Sequence, residues 1–374
     1  MSTRPLILRI ASCFLVVLLL SAAPGAWADV FVFKLTPYAG GVPVITLQGP
    51  GGTVPGKIDT GAGVGIVVRG DGGVTATGVD PTAGSPQTYG GTGTATGRSG
   101  VPIPGSVGPA TPPITPPGQG ATSPALPGSG AVIPGTTTPR VLLGSPWLNG
   151  FHYGRVQGQE CDYFFMADKS MGRDGLSEGV AIANFFANPE PIVADRPRAE
   201  ANPMGGKMPA IAILPAPVKI PRPDDSAAAI LNPAPPAMLP LTIFPIDGGW
   251  ELEVWATGQD ADVIHGAPFL LKSGWDTTVI SNELAAVLGI DPASQPTITI
   301  DSDLGVFTVP SATISLQLVP GSGHPPITVT AAIPDDATNL TGWNYLGSDV
   351  LSQLGYWEVS SVEADGQTRL YVAP

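Results

Sequence analysis

The feature that most constrains this chain is a short loop pattern that occurs once in each half. Residues 56–67 carry Asp59 on a glycine-containing loop, directly after an apolar residue. Residues 269–280 have the same plan, but Lys272 stands where the first copy has Asp59. In each copy a β-rich segment precedes and follows the loop. The repetition predicts two halves of similar architecture, each presenting one such loop.

A second landmark is also duplicated. Residues 142–148 and 345–351 both begin with two apolar residues, a glycine and a serine, and each follows its own loop at a similar distance. The chain also has 49 Gly and 43 Pro among 374 residues, a composition typical of β-structure with many turns. We therefore expect an all-β protein, with two lobes related by a pseudo-twofold axis around a central cleft and with short helices only.

The chain begins like an exported protein. Arg4 and Arg9 precede an apolar run over 10–23, and Ala26-Trp27-Ala28 is typical of a signal-peptide cleavage site. We expect residues 1–28 to be removed near Ala28 and the mature protein to be secreted, into the periplasm or the extracellular space. No later stretch of about 20 apolar residues occurs, so we expect no membrane span.

Composition divides the remaining residues into three parts. Residues 29–186 form the predicted N-terminal lobe, with a Pro/Gly-rich insert at 100–139 that we expect to bury little surface. Residues 187–240 are rich in proline and are predicted to be an inter-lobe linker. Residues 241–374 form the predicted C-terminal lobe, which includes one clear helix signal at 281–289.

Charge and residue usage exclude several partners. The chain has 17 Lys and Arg against 30 Asp and Glu, a net charge of −13, which argues against nucleic-acid binding. Cys13 lies in the predicted leader, so Cys161 has no partner for an intramolecular disulfide. The three histidines are isolated, and the Asp301-Ser302-Asp303 segment lacks the later acidic ligand of a calcium loop. We expect no metal, no cofactor and a monomer.

These motifs resemble the pepsin–retropepsin family of aspartic peptidases, in which each lobe supplies one Asp-Thr/Ser-Gly loop. Asp59, Thr60 and Gly61 fit that motif fully, whereas Lys272-Ser273-Gly274 departs from it at the first residue. Residues 89–93 resemble the flap hairpin of the pepsin-like members, with one extra glycine. The resemblance spans the mature chain except 100–139 and 187–240.

The resemblance implies roles for these residues. Tyr89 would cover the cleft and hydrogen-bond near the catalytic pair, and Gly91 and Thr92 would contact a bound peptide. Thr60 and Ser273 would hydrogen-bond across the cleft to hold the two loops in place. A peptide or protein would occupy the cleft between the lobes, by adding strands to exposed edges.

Lys272 changes the chemistry that the resemblance implies. Two adjacent carboxylates share one proton, so that one activates water and the other donates to the scissile carbonyl. An ammonium beside Asp59 favours an ion pair instead, and the loss of one member of a catalytic unit costs several orders of magnitude in rate. We therefore expect a degenerate pair with weak or absent peptidase activity.

Several alternatives remain open. Asp276 would pair with Asp59 if the second loop shifted by four residues, which would give a working endopeptidase but without the glycine of the tight loop. Ser273 and Lys272 make a poor nucleophile–base pair because adjacent residues in an extended segment point to opposite sides. Trp275 either fills part of the cleft or packs in the core. A non-enzymatic structural or inhibitor-like extracellular protein is the third functional hypothesis.

Overall fold

The computed structural model describes residues 30–91, 93–114, 123–135, 138–158, 161–169, 239–246, 249–258, 264–302, 305–320, 325–334, 342–360 and 366–373. The predicted signal peptide at 1–28 and the linker up to residue 238 lie outside this part. No helix among the described residues is long and apolar enough to cross a membrane.

Strands dominate both halves, which confirms the all-β prediction. The described strands of the first half are β1 (Val30–Lys34), β2 (Val44–Gly49), β3 (Gly52–Asp59), β4 (Ile66–Arg69), β5 (Ser85–Gly91), β6 (Gly93–Pro102), β7 (Gly108–Pro109), β8 (Ser129–Ile133), β9 (Arg140–Gly144), β10 (Phe151–Val156) and β11 (Tyr163–Asp168). Those of the second half are β12 (Leu239–Thr242), β13 (Phe244–Ile246), β14 (Gly249–Thr257), β15 (Ile264–Leu271), β16 (Thr297–Ser302), β17 (Gly305–Gln317), β18 (Ile327–Ala332), β19 (Tyr345–Leu346), β20 (Tyr356–Ser360) and β21 (Arg369–Ala373).

The described helices are short. They are α1 (Gly70–Thr77), α2 (Ser145–Leu148), α3 (Asn282–Val287) and α4 (Ser348–Leu351), with 3₁₀ turns at Ala39–Gly41 and Pro292–Ser294. The predicted helix at 281–289 is confirmed as α3. The Ser281 hydroxyl caps it by accepting a hydrogen bond from the Leu284 N–H at 3.1 Å. Gly289 follows with a φ of +72°, the left-handed conformation in which glycine commonly ends helices.

A six-stranded sheet joins the two halves. Its strand order is β1-β11-β10-β20-β21-β12, so three strands come from each half and the antiparallel pair β10–β20 lies at the centre. The sheet buries Tyr153 and Trp357 completely, with ring centroids 6.4 Å apart. The Trp250 indole N–H donates to the Tyr153 hydroxyl at 3.1 Å, which ties the start of β14 to this sheet.

Each half also has a larger sheet of its own. In the first, the order is β5-β6-β8-β4-β9-β3-β2-β7. In the second, it is β16-β17-β14-β15-β19, with β13 paired to β14 and β18 to β17. Strand β3 runs parallel to β9, as β15 does to β19, and each half contributes a long hairpin, β5–β6 or β16–β17. The strand pairings around the two loops therefore repeat.

The prediction that residues 100–139 bury little surface is wrong where the structure describes them. Strand β8 lies inside the eight-stranded sheet, between β6 and β4, and Val132 is fully buried there. Val101, Ile103 and Val107 also belong to the core. The short apolar runs between the proline and glycine residues are sufficient to form sheet, because each needs to fill only one or two positions on a buried face.

Candidate functional site

The two repeated loops meet at the ends of β3 and β15, where Thr60 and Ser273 make a crossed set of hydrogen bonds. The Thr60 hydroxyl donates to the Leu271 carbonyl at 2.9 Å and accepts from the Ser273 N–H at 3.1 Å. The Ser273 hydroxyl donates to the Ile58 carbonyl at 2.8 Å and accepts from the Thr60 N–H at 3.1 Å. Both side chains are fully buried, so the two loops are held in a fixed mutual position.

Two serines, which the sequence analysis did not single out as site residues, support the loops from behind. The Ser145 hydroxyl donates to the Thr60 carbonyl, and the Ser348 hydroxyl donates to the Ser273 carbonyl. Both serines begin a short helix that directly follows the glycine of the duplicated apolar-apolar-Gly motif. The signal that could have identified them is the Gly-Ser dipeptide present in both copies of that motif.

The first residue of each loop packs against the glycine of the other. A methyl group added to Gly274 would lie 2.5 Å from Cβ and Cγ of Asp59. One added to Gly61 would lie 2.4 Å from Cδ and 2.6 Å from Cε of Lys272. The Asp59 and Lys272 side chains therefore occupy corresponding places in the two halves, which is the register expected from the sequence repeat.

The polar ends of these two side chains have different partners. Asp59 is fully buried, and its Oδ1 accepts a hydrogen bond from the Gly61 N–H at 2.9 Å. Lys272 is only partly buried, and its Nζ donates to the Gly61 carbonyl at 2.9 Å. The ammonium thus donates a hydrogen bond to a backbone oxygen of the Asp59 loop.

Aromatic side chains flank Lys272 on its other sides. Its Nζ lies 5.5 Å from the ring centroid of Trp275 and 5.5 Å from that of Tyr345. The two rings are 5.0 Å apart and pack in a cluster with Ile300 and Val309 of the β16–β17 hairpin. Trp275 is therefore a packed residue that also forms one wall beside Lys272, and burial raises the pKa of the Tyr345 hydroxyl to about 12.

Asp276, the alternative partner for Asp59, packs against Gly40, where a methyl group would come within 2.5 Å of the Asp276 Cβ. Its neighbour is Asp349, which accepts hydrogen bonds from the Thr278 N–H at 2.9 Å and the Thr278 hydroxyl at 2.6 Å. Burial raises the pKa of Asp349 above its ordinary value, and the nearby charge of Asp276 adds to this increase while the Thr278 hydrogen bonds oppose it.

Residues 85–102 form the predicted hairpin. Gly91 pairs with Gly93 at its tip, and Thr92 lies outside the described residues. The Tyr89 hydroxyl donates to the Arg98 carbonyl at 3.0 Å, and burial raises its pKa. That hydrogen bond stays within the hairpin, whereas the family resemblance implied one near Asp59.

An open groove of about 340 Å³ lies beside this hairpin. Polar and apolar surface contribute about equally to its lining. The residues that line it are Val64, Gln87, Tyr89, Ser99, Gly100, Ser129 and Gly130. The groove therefore lies over the paired strands β5, β6 and β8, next to Val64 of the segment that follows Asp59.

No group of three or more His, Cys, Asp or Glu side chains that could hold a metal ion occurs among the described residues. A comparison with known protein families finds no match, and no curated protein sequence matches the chain. The functional inference consequently depends on the geometry of the two loops, the groove and the flanking aromatic cluster.

Proposed function

We propose that this chain is an exported, two-lobed relative of the aspartic peptidases that binds an extended peptide in its cleft and lacks ordinary acid-peptidase activity. One observation carries the proposal. Lys272 packs on Gly61 as Asp59 packs on Gly274, so an amine occupies the position that corresponds to the first carboxylate. The crossed hydrogen bonds of Thr60 and Ser273 support the same register of the two loops.

The chemistry of the pair explains the expected loss of activity. Peptide hydrolysis by two carboxylates requires one ionised group to activate water and one protonated group to donate to the carbonyl. An ammonium at position 272 does not share a proton with Asp59 in this way, and one of its hydrogens is already donated to the Gly61 carbonyl. Because catalytic residues act as a unit, removal of one leaves only a small residual rate.

Features of the cleft favour an extended peptide as the ligand. Strand β5 is at the edge of the eight-stranded sheet, so its outer backbone groups are available to a further strand. The groove beside it is lined by backbone and small polar side chains such as Ser99 and Ser129, which suit main-chain hydrogen bonding. The paired strands β5, β6 and β8 carry most of its lining residues, which keeps such a groove preformed.

Two measurements test this function. The purified chain is incubated with an unfolded protein at about pH 3–5, the range in which a shared-proton carboxylate pair operates, and we expect no cleavage above that of an Asp59→Asn variant. Amide hydrogen exchange is then measured with and without a mixture of random-sequence peptides. We expect the peptides to slow exchange in the β5–β6 hairpin and the Asp59 loop.

The two parts of the proposal, the absence of peptidase activity and the binding of a peptide, can fail separately. Cleavage that is inhibited by pepstatin and lost in Asp59→Asn would show that the chain is an active peptidase. Exchange that is unchanged by every peptide in the mixture would rule out peptide binding at the hairpin. An Asp80→Asn variant, altered at an exposed carboxylate outside the cleft, serves as the control for general effects of removing an acidic side chain.

A further inference from the structure

We infer that the Lys272 side of the cleft binds a carboxylate group of the peptide, either its C-terminus or an Asp or Glu side chain. This inference rests on the proposed function, since it assigns a ligand group to the same cleft. It follows from three side chains that carry donors and lie together there, Lys272, Trp275 and Tyr345.

The ammonium of Lys272 has more N–H groups than its hydrogen bond to Gly61 uses. A lysine Nζ carries three hydrogens and no acceptor, and the hydrogen bond of this one is to the Gly61 carbonyl at 2.9 Å. The side chain is only partly buried, so a ligand in the cleft can reach it. Its alkyl part is fixed against Gly61, which limits the entropy lost when the ammonium binds an anion.

The indole of Trp275 provides a second donor. Trp275 is only 8% exposed, and its Nε1 has no hydrogen-bond partner. A buried N–H without a partner destabilises the free protein, so a carboxylate oxygen that accepts from this N–H removes that cost on binding. The ring centroid is 5.5 Å from Lys272 Nζ, close enough for one small ligand group to contact both residues.

Tyr345 completes the cluster. Its ring lies 5.0 Å from Trp275 and 5.5 Å from the ammonium, and it is 9% exposed. The hydroxyl remains protonated at neutral pH because burial raises its pKa to about 12, so it is able to donate. The Lys272 ammonium already lies over both aromatic rings, and its positive charge disfavours a cationic ligand beside it.

The charge balance favours a singly charged anion. Lys272 provides one positive charge, whereas Asp59 is turned towards Gly274 and accepts from the Gly61 N–H. A phosphate would bring close to two negative charges to a chain whose net charge is already −13. A carboxylate brings one charge and has two oxygens to share among the three donors.

The experiment follows the Trp275 indole N–H signal by ¹H–¹⁵N NMR, assigned by its loss in Trp275→Phe. Three probes are titrated into the full chain: acetyl-glycine, with a C-terminal carboxylate; acetyl-Asp-amide, with a side-chain carboxylate; and neutral acetyl-Asn-amide. We expect one or both acids to shift the signal and the neutral probe to leave it in place. Comparison of the two acids identifies which kind of carboxylate the site takes.

Variants separate the charge of Lys272 from its bulk. Lys272→Met should weaken binding of the acid probe at least about tenfold, as expected for loss of a charge-assisted hydrogen bond, whereas Lys272→Arg should retain it. Lys34→Met, at the exposed end of β1, is the matched control and should have no effect. Since the acid and neutral probes are compared in the unaltered chain, the outcome is decisive even if Lys272→Met fails to fold.

Three results would overturn the inference: no shift with either acid, equal shifts with the neutral probe, or unchanged affinity in a folded Lys272→Met. These results are distinguishable from failure of the proposed function. Extended peptides that slow hydrogen exchange equally as acids and as amides would leave peptide binding intact and remove the carboxylate site. Binding of the acid probes without slower hydrogen exchange at the hairpin would leave the carboxylate site intact and rule out peptide binding there.

Discussion

Thr60 and Ser273 are 213 residues apart, and each uses its hydroxyl to donate to a carbonyl of the other loop while accepting from the other's N–H. Both side chains are fully buried. These four hydrogen bonds fix the backbones of the two loops relative to each other. The relative position of Asp59 and Lys272 is therefore set by the loops that carry them. The identity of the residue at position 272 can therefore be changed with little disturbance of the loops.

Thr60→Val should destabilise the protein by about 2–4 kcal/mol. The substitution keeps the shape of the side chain but leaves the Leu271 carbonyl and the Ser273 N–H buried without partners, and each such loss costs about 1–3 kcal/mol. Thr60→Ser retains the hydroxyl and should cost about 1 kcal/mol or less. Urea unfolding measures both free energies, and equal losses in the two variants would contradict the assigned role of the hydroxyl.

Lys272→Asp should create acid-peptidase activity, at least about 100-fold above that of the unaltered chain, because it restores two carboxylates on opposed loops. The measurement is cleavage of an unfolded protein at about pH 3–5, with and without pepstatin. Lys272→Asn, of equal size but without the second carboxylate, is the matched control. Activity in both variants, or in neither, would argue against Lys272 as the counterpart of Asp59.

Gly274→Ala should destabilise the protein by about 1–3 kcal/mol, because the new methyl group would lie 2.5 Å from Cβ and Cγ of the fully buried Asp59. Gly105→Ala is the control, since a methyl group there meets nothing within 4 Å. Thermal or urea unfolding of the two variants provides the comparison. A neutral effect at Gly274 would mean that the Asp59 side chain is free to move away.

The free energy of unfolding should fall as the pH rises from about 4 through the raised pKa of the Asp349 carboxyl. Its pKa is above the model-compound value of 3.8, mainly through burial, so the folded state binds the proton more tightly than the unfolded state does. Below pH 3.8 both states are protonated and the effect vanishes. Above the raised pKa both states are deprotonated, and the loss of unfolding free energy stays at its full value.

The test for Asp349 is urea unfolding as a function of pH. Asp276→Asn removes the neighbouring charge that contributes to the shift, so the pKa of Asp349 should fall and the pH range of declining stability should become narrower. Asp291→Asn, at an exposed carboxylate that caps a 3₁₀ turn, should leave that range where it is. An unchanged profile in Asp276→Asn would show that burial alone sets the pKa.

The correspondence of the two loops was largely predictable because their pattern occurs twice in the sequence. The repeat around Asp59 and Lys272 indicated which residues correspond, and the crossed packing on Gly61 and Gly274 has the register that the repeat implied. The hydrogen bond from the Lys272 ammonium to the Gly61 carbonyl was not predictable, because it depends on differences of a few ångströms that no sequence pattern encodes.

Local composition alone does not predict two other elements, strand β8 and helix α1. Strand β8 lies in a Pro/Gly-rich stretch, yet its few apolar residues fill an interior position of the sheet. Helix α1 contains three glycines and two threonines, a poor helix former on propensity alone, and it forms where Gly73 and Ala76 pack into the fold. In both cases tertiary burial outweighs the intrinsic preference of the segment.

The central pair of the six-stranded sheet, β10–β20, has a consequence for biosynthesis. Strand β10 ends at Val156, but its partner begins only at Tyr356, so a nascent first half presents an open strand edge while the next 200 residues are made. Contacts so distant in sequence form slowly, and an unpaired edge is prone to join other chains. Efficient production of this protein should therefore depend on conditions or helper proteins that shield β10 until residues 356–373 have been synthesised.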